Sequence, residues 1–193
     1  MKKTNSIFIK PFLLVIAVLL LNSFAFAQFT ADLLQTKNGK TKTGKIYFKT
    51  PFYRMDLTEQ GENFYVIVDQ DKKITRVVRP KEKIFVEMNS TGMSSIMNDA
   101  FQSVEKQKQI YKTDFAGTEK LNGYECKKYE VLIDSSIVTT FWQATAFDFP
   151  IKIITGKNKN MVTELKNITE GDIDDSYFSI PESYKKVDMP GAK

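Results

Sequence analysis

At 193 residues the chain fits one domain with a single core, and its formal charge of +5 includes three lysines near the N-terminus, so its basic character is no argument for a nucleic-acid partner. The chain holds no histidine. That excludes serine–histidine and cysteine–histidine hydrolases and histidine-ligated zinc, while Cys126, the lone cysteine, excludes an internal disulfide.

The first element is a leader. Lys2, Lys3 and Lys10 precede an unbroken apolar run from Phe12 to Leu21, and Ala25-Phe26-Ala27 puts small residues where a signal peptidase reads. The run is about half the roughly 20 residues a membrane-spanning helix needs. The pattern predicts cleavage after Ala27, export to the periplasm or beyond, and no transmembrane segment in the mature chain. Residues 1–27 are read as signal peptide and residues 28–193 as one domain. Gln28 stands where a lipid-modified protein would carry cysteine.

From there the hydrophobic period is two, in short runs broken by turn signals, as in an antiparallel sheet. Strands are expected at Phe29 to Thr36, Lys45 to Thr50, Tyr53 to Thr58, Asn63 to Asp69, Ile74 to Arg79 and Ile84 to Met88, with Asn38-Gly39 as a hairpin turn. Phe64 through Val68 is apolar on both faces, which demands cover on each side of the sheet there. The period then lengthens: Met93, Met97, Ala100, Phe101, Val104 and Tyr111 recur at helical spacing, giving one amphipathic helix. Strands resume at Tyr124 to Asp134, Ile137 to Ala144, Phe149 to Thr155 and Met161 to Ile168. Asp174-Asp175-Ser176 then caps a turn that returns Phe178, Ile180 and Tyr184 to the core.

Met97 and Phe101 on the helix, and Trp142, Phe147 and Phe149 near a strand end, are the candidate ligand-binding residues, as walls of an apolar pocket between helix and sheet. Core packing is the plainer account of each. Lys37, Lys40, Lys42, Lys45 and Lys49 concentrate charge on the first hairpin, either to meet anionic groups or to guard a sheet edge. Asp172, Asp174 and Asp175 lack the glycine and glutamate of a calcium loop, so no metal site is expected. Cys126 has no neighbour in sequence that would activate it. No catalytic residues and no cofactor are read from the chain.

Gly117-Thr-Glu-Lys-Leu-Asn-Gly-Tyr-Glu-Cys-Lys-Lys-Tyr-Glu-Val131, Trp142 followed by Phe149-Pro-Ile-Lys152, and Glu164-Leu-Lys-Asn-Ile168 leading to Asp175-Ser-Tyr-Phe-Ser-Ile-Pro-Glu-Ser-Tyr184 together resemble an exported bacterial family, domain of unknown function 4412. Its pattern is similar to the periplasmic lipoprotein-carrier superfamily of the LolA and LolB type. The resemblance implies an open half-barrel: a strongly curved antiparallel sheet, mainly β with α, and the helix in its concavity. The expected function is non-enzymatic binding of an acyl chain, lipid or lipidated peptide between sheet and helix, in a cavity of about 300 Å³ or more. The alternative is an envelope protein-interaction or sensory module with a filled core.

Overall fold

The structure, a computed structural model, describes residues 28–90, 99–156, 158 and 160–188. Leader residues 1–27 and the first half of the expected helix stripe, including Met93 and Met97, lie outside the described residues.

Among the described residues twelve strands form one sheet in the order β12-β6-β5-β4-β3-β2-β1-β11-β10-β9-β8-β7. Chain order is β1 (Gln28–Lys37), β2 (Lys40–Lys49), β3 (Phe52–Glu59), β4 (Glu62–Asp69), β5 (Ile74–Arg79), β6 (Ile84–Asn89), helix α1 (Ala100–Ile110), β7 (Lys112–Leu121), β8 (Tyr124–Ile133), β9 (Ser136–Ala144), β10 (Phe149–Thr155), β11 (Met161–Glu170) and β12 (Lys185–Lys186). Two meanders, β1 to β6 and β7 to β11, are joined where β1 pairs antiparallel with β11, from Phe29 opposite Glu170 to Lys37 opposite Met161. The short β12 alone runs parallel to its neighbour, β6. The expected half-barrel with a helix in its concavity is the fold found.

Curvature has local causes. β2 and β3 stop pairing at Lys45 and Asp56, and at the adjoining Gly44 a Cβ would stand 2.5 Å from the Asp56 carbonyl oxygen, so only glycine permits the approach. At the other flank the β7–β8 turn curls back until Asn122 Nδ2 donates to the Leu165 carbonyl of β11 at 2.8 Å.

Three expectations are corrected. β7 is absent from the sequence reading, because Lys112–Leu121 is polar on both faces and carries a bulge between Phe115 and Gly117, as an edge strand can. Tyr111, expected on the helix's apolar stripe, is the C-cap and is exposed. The lysine-bearing hairpin β1–β2 lies in the middle of the sheet and not at its margin, though β2 pairs with β3 only from Lys45 to Lys49 and leaves the flank of Lys40–Gly44 open. Lys49 reaches outward to Asp175 at 2.6 Å.

The double-faced apolar strand β4 is accounted for. Val66 and Val68 join the large cluster on the concave side. Tyr65 and Ile67 face the convex side, where Ile173, Phe178, Ile180 and Tyr184 of the C-terminal segment lie across them. Asp174 opens the turn Asp175–Phe178 by accepting from the Ser176 N–H at 2.8 Å, which pins this segment.

Candidate functional site: the concave face

The concave face has two ends. Toward the closed end, α1 is started by Asp99, whose Oδ1 accepts the Phe101 N–H at 2.9 Å and the Gln102 N–H at 3.3 Å. Its Oδ2 accepts from the Tyr53 hydroxyl at 2.6 Å and from Gln102 Nε2 at 3.2 Å, and the same amide nitrogen donates to Thr75 at 2.9 Å. All of these groups are buried. Burial pushes the Asp99 carboxyl above its usual range against the pull of those hydrogen bonds. Burial, joined by the nearby Asp99 charge, pushes the Tyr53 phenol well up. Both carboxylate oxygens are engaged, so Asp99 holds the helix to β3 and β5; it is not set up as a general base.

Above this network the aromatic rings interlock. Phe149 lies 4.8 Å from Phe101, 4.6 Å from Phe48 and 5.6 Å from Tyr53, while Phe29 lies 4.6 Å from Phe147. Phe101, Phe147 and Phe149 are thus core. Between this cluster and the rim of α1 remains a cavity of about 180 Å³ lined by Tyr53, Phe101 and Phe149 within and Gln70, Lys73 and Lys106 outside. It is smaller than the cavity expected between helix and sheet.

The four sequence candidates among the described residues do not line one cavity together. Phe101 and Phe149 share the small cavity, and Phe147 packs behind it against Tyr124 at 4.8 Å. Trp142 follows Phe141 in β9 and so turns to the opposite face, where Lys128 and Lys152 approach its ring at 5.3 and 5.5 Å and its Nε1 donates to Glu119. Phe141 faces the concavity, stacked on Tyr129 and under Lys108. Met97 lies outside the described residues.

The larger hollow is at the open end. A groove of about 1000 Å³ has Leu57, Phe64, Val66 and Val77 as its floor, with Gln35 and Thr43 alongside. Register explains the floor: Leu57 is opposite Phe64, and Val66 is opposite both Met55 and Val77, so one face of β3, β4 and β5 supplies it. The rim is charged, with Lys42 paired to Glu59 at 2.9 Å and Lys81 to Glu62 at 3.3 Å. Each of these residues is legible in the sequence as part of a strand or turn. Nothing local announces that they converge, because the signal is the register of three strands.

Other candidates resolve into structure. Cys126 is fully buried, and desolvation raises its thiol pKa, the opposite of activation. Among the described residues no group of three metal-ligating side chains comes together.

The family model for the domain of unknown function DUF4412 matches residues 31–147 and 134–184, most of the described chain. The chain belongs to the DUF4412 family. No curated protein sequence matches it. Among solved structures it is similar to an uncharacterized conserved protein from Thermus thermophilus, at TM-score 0.56 and 9% identity over 86% of this chain and 92% of that one. It is also similar to MucB in the Pseudomonas aeruginosa MucA/MucB complex, at TM-score 0.52 and 12% identity over 83% of this chain, which spans only 58% of the chain matched. A LolA superfamily protein from Nitrosomonas europaea aligns more loosely, at TM-score 0.38 and 10% identity over 79% of this chain and 89% of that one. At these identities the likenesses describe the fold alone. No helix among its described residues is long and apolar enough to cross a membrane.

Proposed function

We propose that this DUF4412 protein is a non-enzymatic, exported binder of a single hydrophobic ligand, an acyl chain of a lipid or lipidated peptide, held in the open-end groove. One observation carries the reading: a hollow of about 1000 Å³, open among the described residues, over an apolar floor of Leu57, Phe64, Val66 and Val77. That volume suits an acyl chain, and the floor offers it dispersion contacts and exclusion of water without any polar group to discriminate its length. The charged rim keeps the polar head of such a ligand in solvent. Phe101 and Phe149 line the separate small cavity under α1 and belong to the core beside the groove. The leader supports placement in the periplasm or outside the cell, with cleavage after Ala27.

A filled-core interaction module fits less well, because the groove is open among the described residues. A protein partner in the envelope is compatible with binding one lipidated peptide, and the structure of MucB in complex with MucA(peri) gives a precedent for this fold meeting a protein.

Native mass spectrometry with lipid extraction, on protein recovered from a bacterial periplasm, tests the proposal. An acyl species at defined stoichiometry is expected, and Val77→Trp, which fills the floor, should displace it while leaving the fold intact. A clean apo mass, with added fatty acids and lipopeptides failing to bind, would overturn the reading.

A further inference from the structure

The strands carry opposite charge at their two ends. The turns around the groove mouth hold Lys37, Lys40, Lys42, Arg79, Lys81 and Lys83, against Glu59, Glu62 and Glu82, with Asp134 further along the same rim. Lys42 and Lys81 are answered by Glu59 and Glu62. Lys185 joins this rim because it pairs with Ile84 at the start of β6. At the opposite end the chain places Glu170, Asp172, Asp174 and Asp175 together, with Lys49 paired to Asp175 and near Asp172 and Asp174, while Asp69 and Asp71 balance Lys72 and Lys73. A molecule polarised this way meets an anionic surface with its groove mouth first.

Four exposed apolar side chains share the basic end, while Phe115 stands along β7 and Tyr177 beside the acidic turn. Ile110 is 55% exposed, Tyr111 38%, Ile137 46% and Met161 37%. Met161 is opposite Lys37, Ile137 is opposite Leu132, and Leu132 is opposite Lys112, which Ile110 and Tyr111 immediately precede. All four therefore stand on the rim that carries the lysines. Isolated exposed apolar residues mean little, but here they share one rim with the basic turns. Lysines that reach headgroups beside apolar side chains that sink among them are the signature of an interfacial surface.

We propose that this open rim docks onto an anionic lipid bilayer, so that the groove takes up or releases its ligand directly at the membrane surface. The inference rests on the groove being the ligand site. It also gives a role to the lysine-rich tip of hairpin β1–β2, where Lys40–Gly44 of β2 run beyond the pairing with β3. Since Lys37 and Lys40 are exposed at its tip, they meet the surface before the strands do.

The test is co-sedimentation of periplasmically recovered protein with phosphatidylcholine vesicles and with vesicles containing phosphatidylglycerol, read alongside native mass spectrometry of the same preparations. Binding is expected only to the phosphatidylglycerol vesicles and should weaken as salt rises. The double variant Lys37→Glu, Lys40→Glu should lose roughly 20-fold or more in affinity, from about fivefold per surface lysine, yet keep its acyl mass. Lys120→Glu, Lys127→Glu near the other end should bind as the parent does. Equal partition to both vesicle types, equal loss in both double variants, or no vesicle binding by a protein that still carries an acyl chain would overturn the inference and leave the groove reading standing. Vesicle binding by a protein that never carries an acyl species would overturn the groove reading and the loading role with it.

Discussion

The two ends of the concave face are built from the same strands and differ in what covers them. At the closed end Tyr53 and Val68 are sealed under α1 and the Phe149 cluster. Only a few residues along the same two strands, Leu57 and Phe64 are half-buried and line an open groove. Side chains of similar character thus become core or groove wall according to whether the sheet's own chain returns over them. The closed end holds the fold together, which frees the open end to keep apolar surface without a protein partner.

That contrast can be broken in graded steps. The largest effect is expected from Phe149→Ala, which empties the centre of the ring cluster and should cost about 3–5 kcal/mol, visible as a drop in thermal midpoint of roughly 10 °C. Tyr53→Phe comes next. It removes the hydroxyl that bonds Asp99 inside the core, and the buried carboxylate left with less support should cost about 1–3 kcal/mol in a denaturant titration. Leu57→Ala at the open end should cost about 1 kcal/mol or less, below the range for fully buried leucines, and should lower acyl occupancy in native mass spectra more than Phe149→Ala lowers it per kcal/mol of stability lost.

The smallest step is a pH effect at the boundary between the ends. Because Asp99 has a folded pKa raised above its unfolded value, the folded state holds its proton longer, so this group's contribution favours folding at low pH and is lost as pH rises from about 4 through the folded pKa. Glu87, held low by Lys186 and Arg76, contributes with the opposite sign in acid. The Asp99 part is therefore isolated by comparison with Asp99→Asn: the difference in thermal midpoint, variant minus parent, should grow more positive as pH rises from acid toward neutral. A difference that is flat or falls with pH would show that Asp99 is not held protonated by its surroundings.

Much of the fold is legible in the residues alone, and the reasons for the exceptions are physical. β5 and β10 have the limits their alternation predicts, because β-branched and aromatic residues there end at Pro80 and begin at Phe149. The start of α1 has a local signal that the hydrophobic period passes over: Asp99 is an N-cap that accepts the Phe101 and Gln102 N–H groups. β7 is hidden because an edge strand needs no apolar face. Trp142 and Phe149 look alike as neighbouring aromatics, but alternation in β9 turns Trp142 away from Phe141 toward Lys128 and Lys152, while Phe149 sits among Phe48, Tyr53 and Phe101. The groove floor is hidden for a different reason: its four residues come from three strands, and only long-range register brings them side by side.

The position of β1 between β2 and β11 has a kinetic side. Phe29 can find Phe48 as soon as a short hairpin has emerged, but its other neighbour, Glu170, is nearly the whole chain away. A chain delivered from its N-terminus can build the meander β1 to β6 early and must then wait, one flank of β1 unzipped, for the last long strand to arrive. High sequence separation at the seam slows closure, and until then the unpaired flank of β1 is a template for foreign strands. Assembly of the half-barrel is therefore timed by the arrival of Met161–Glu170, and any chaperone for this protein has its task at that seam.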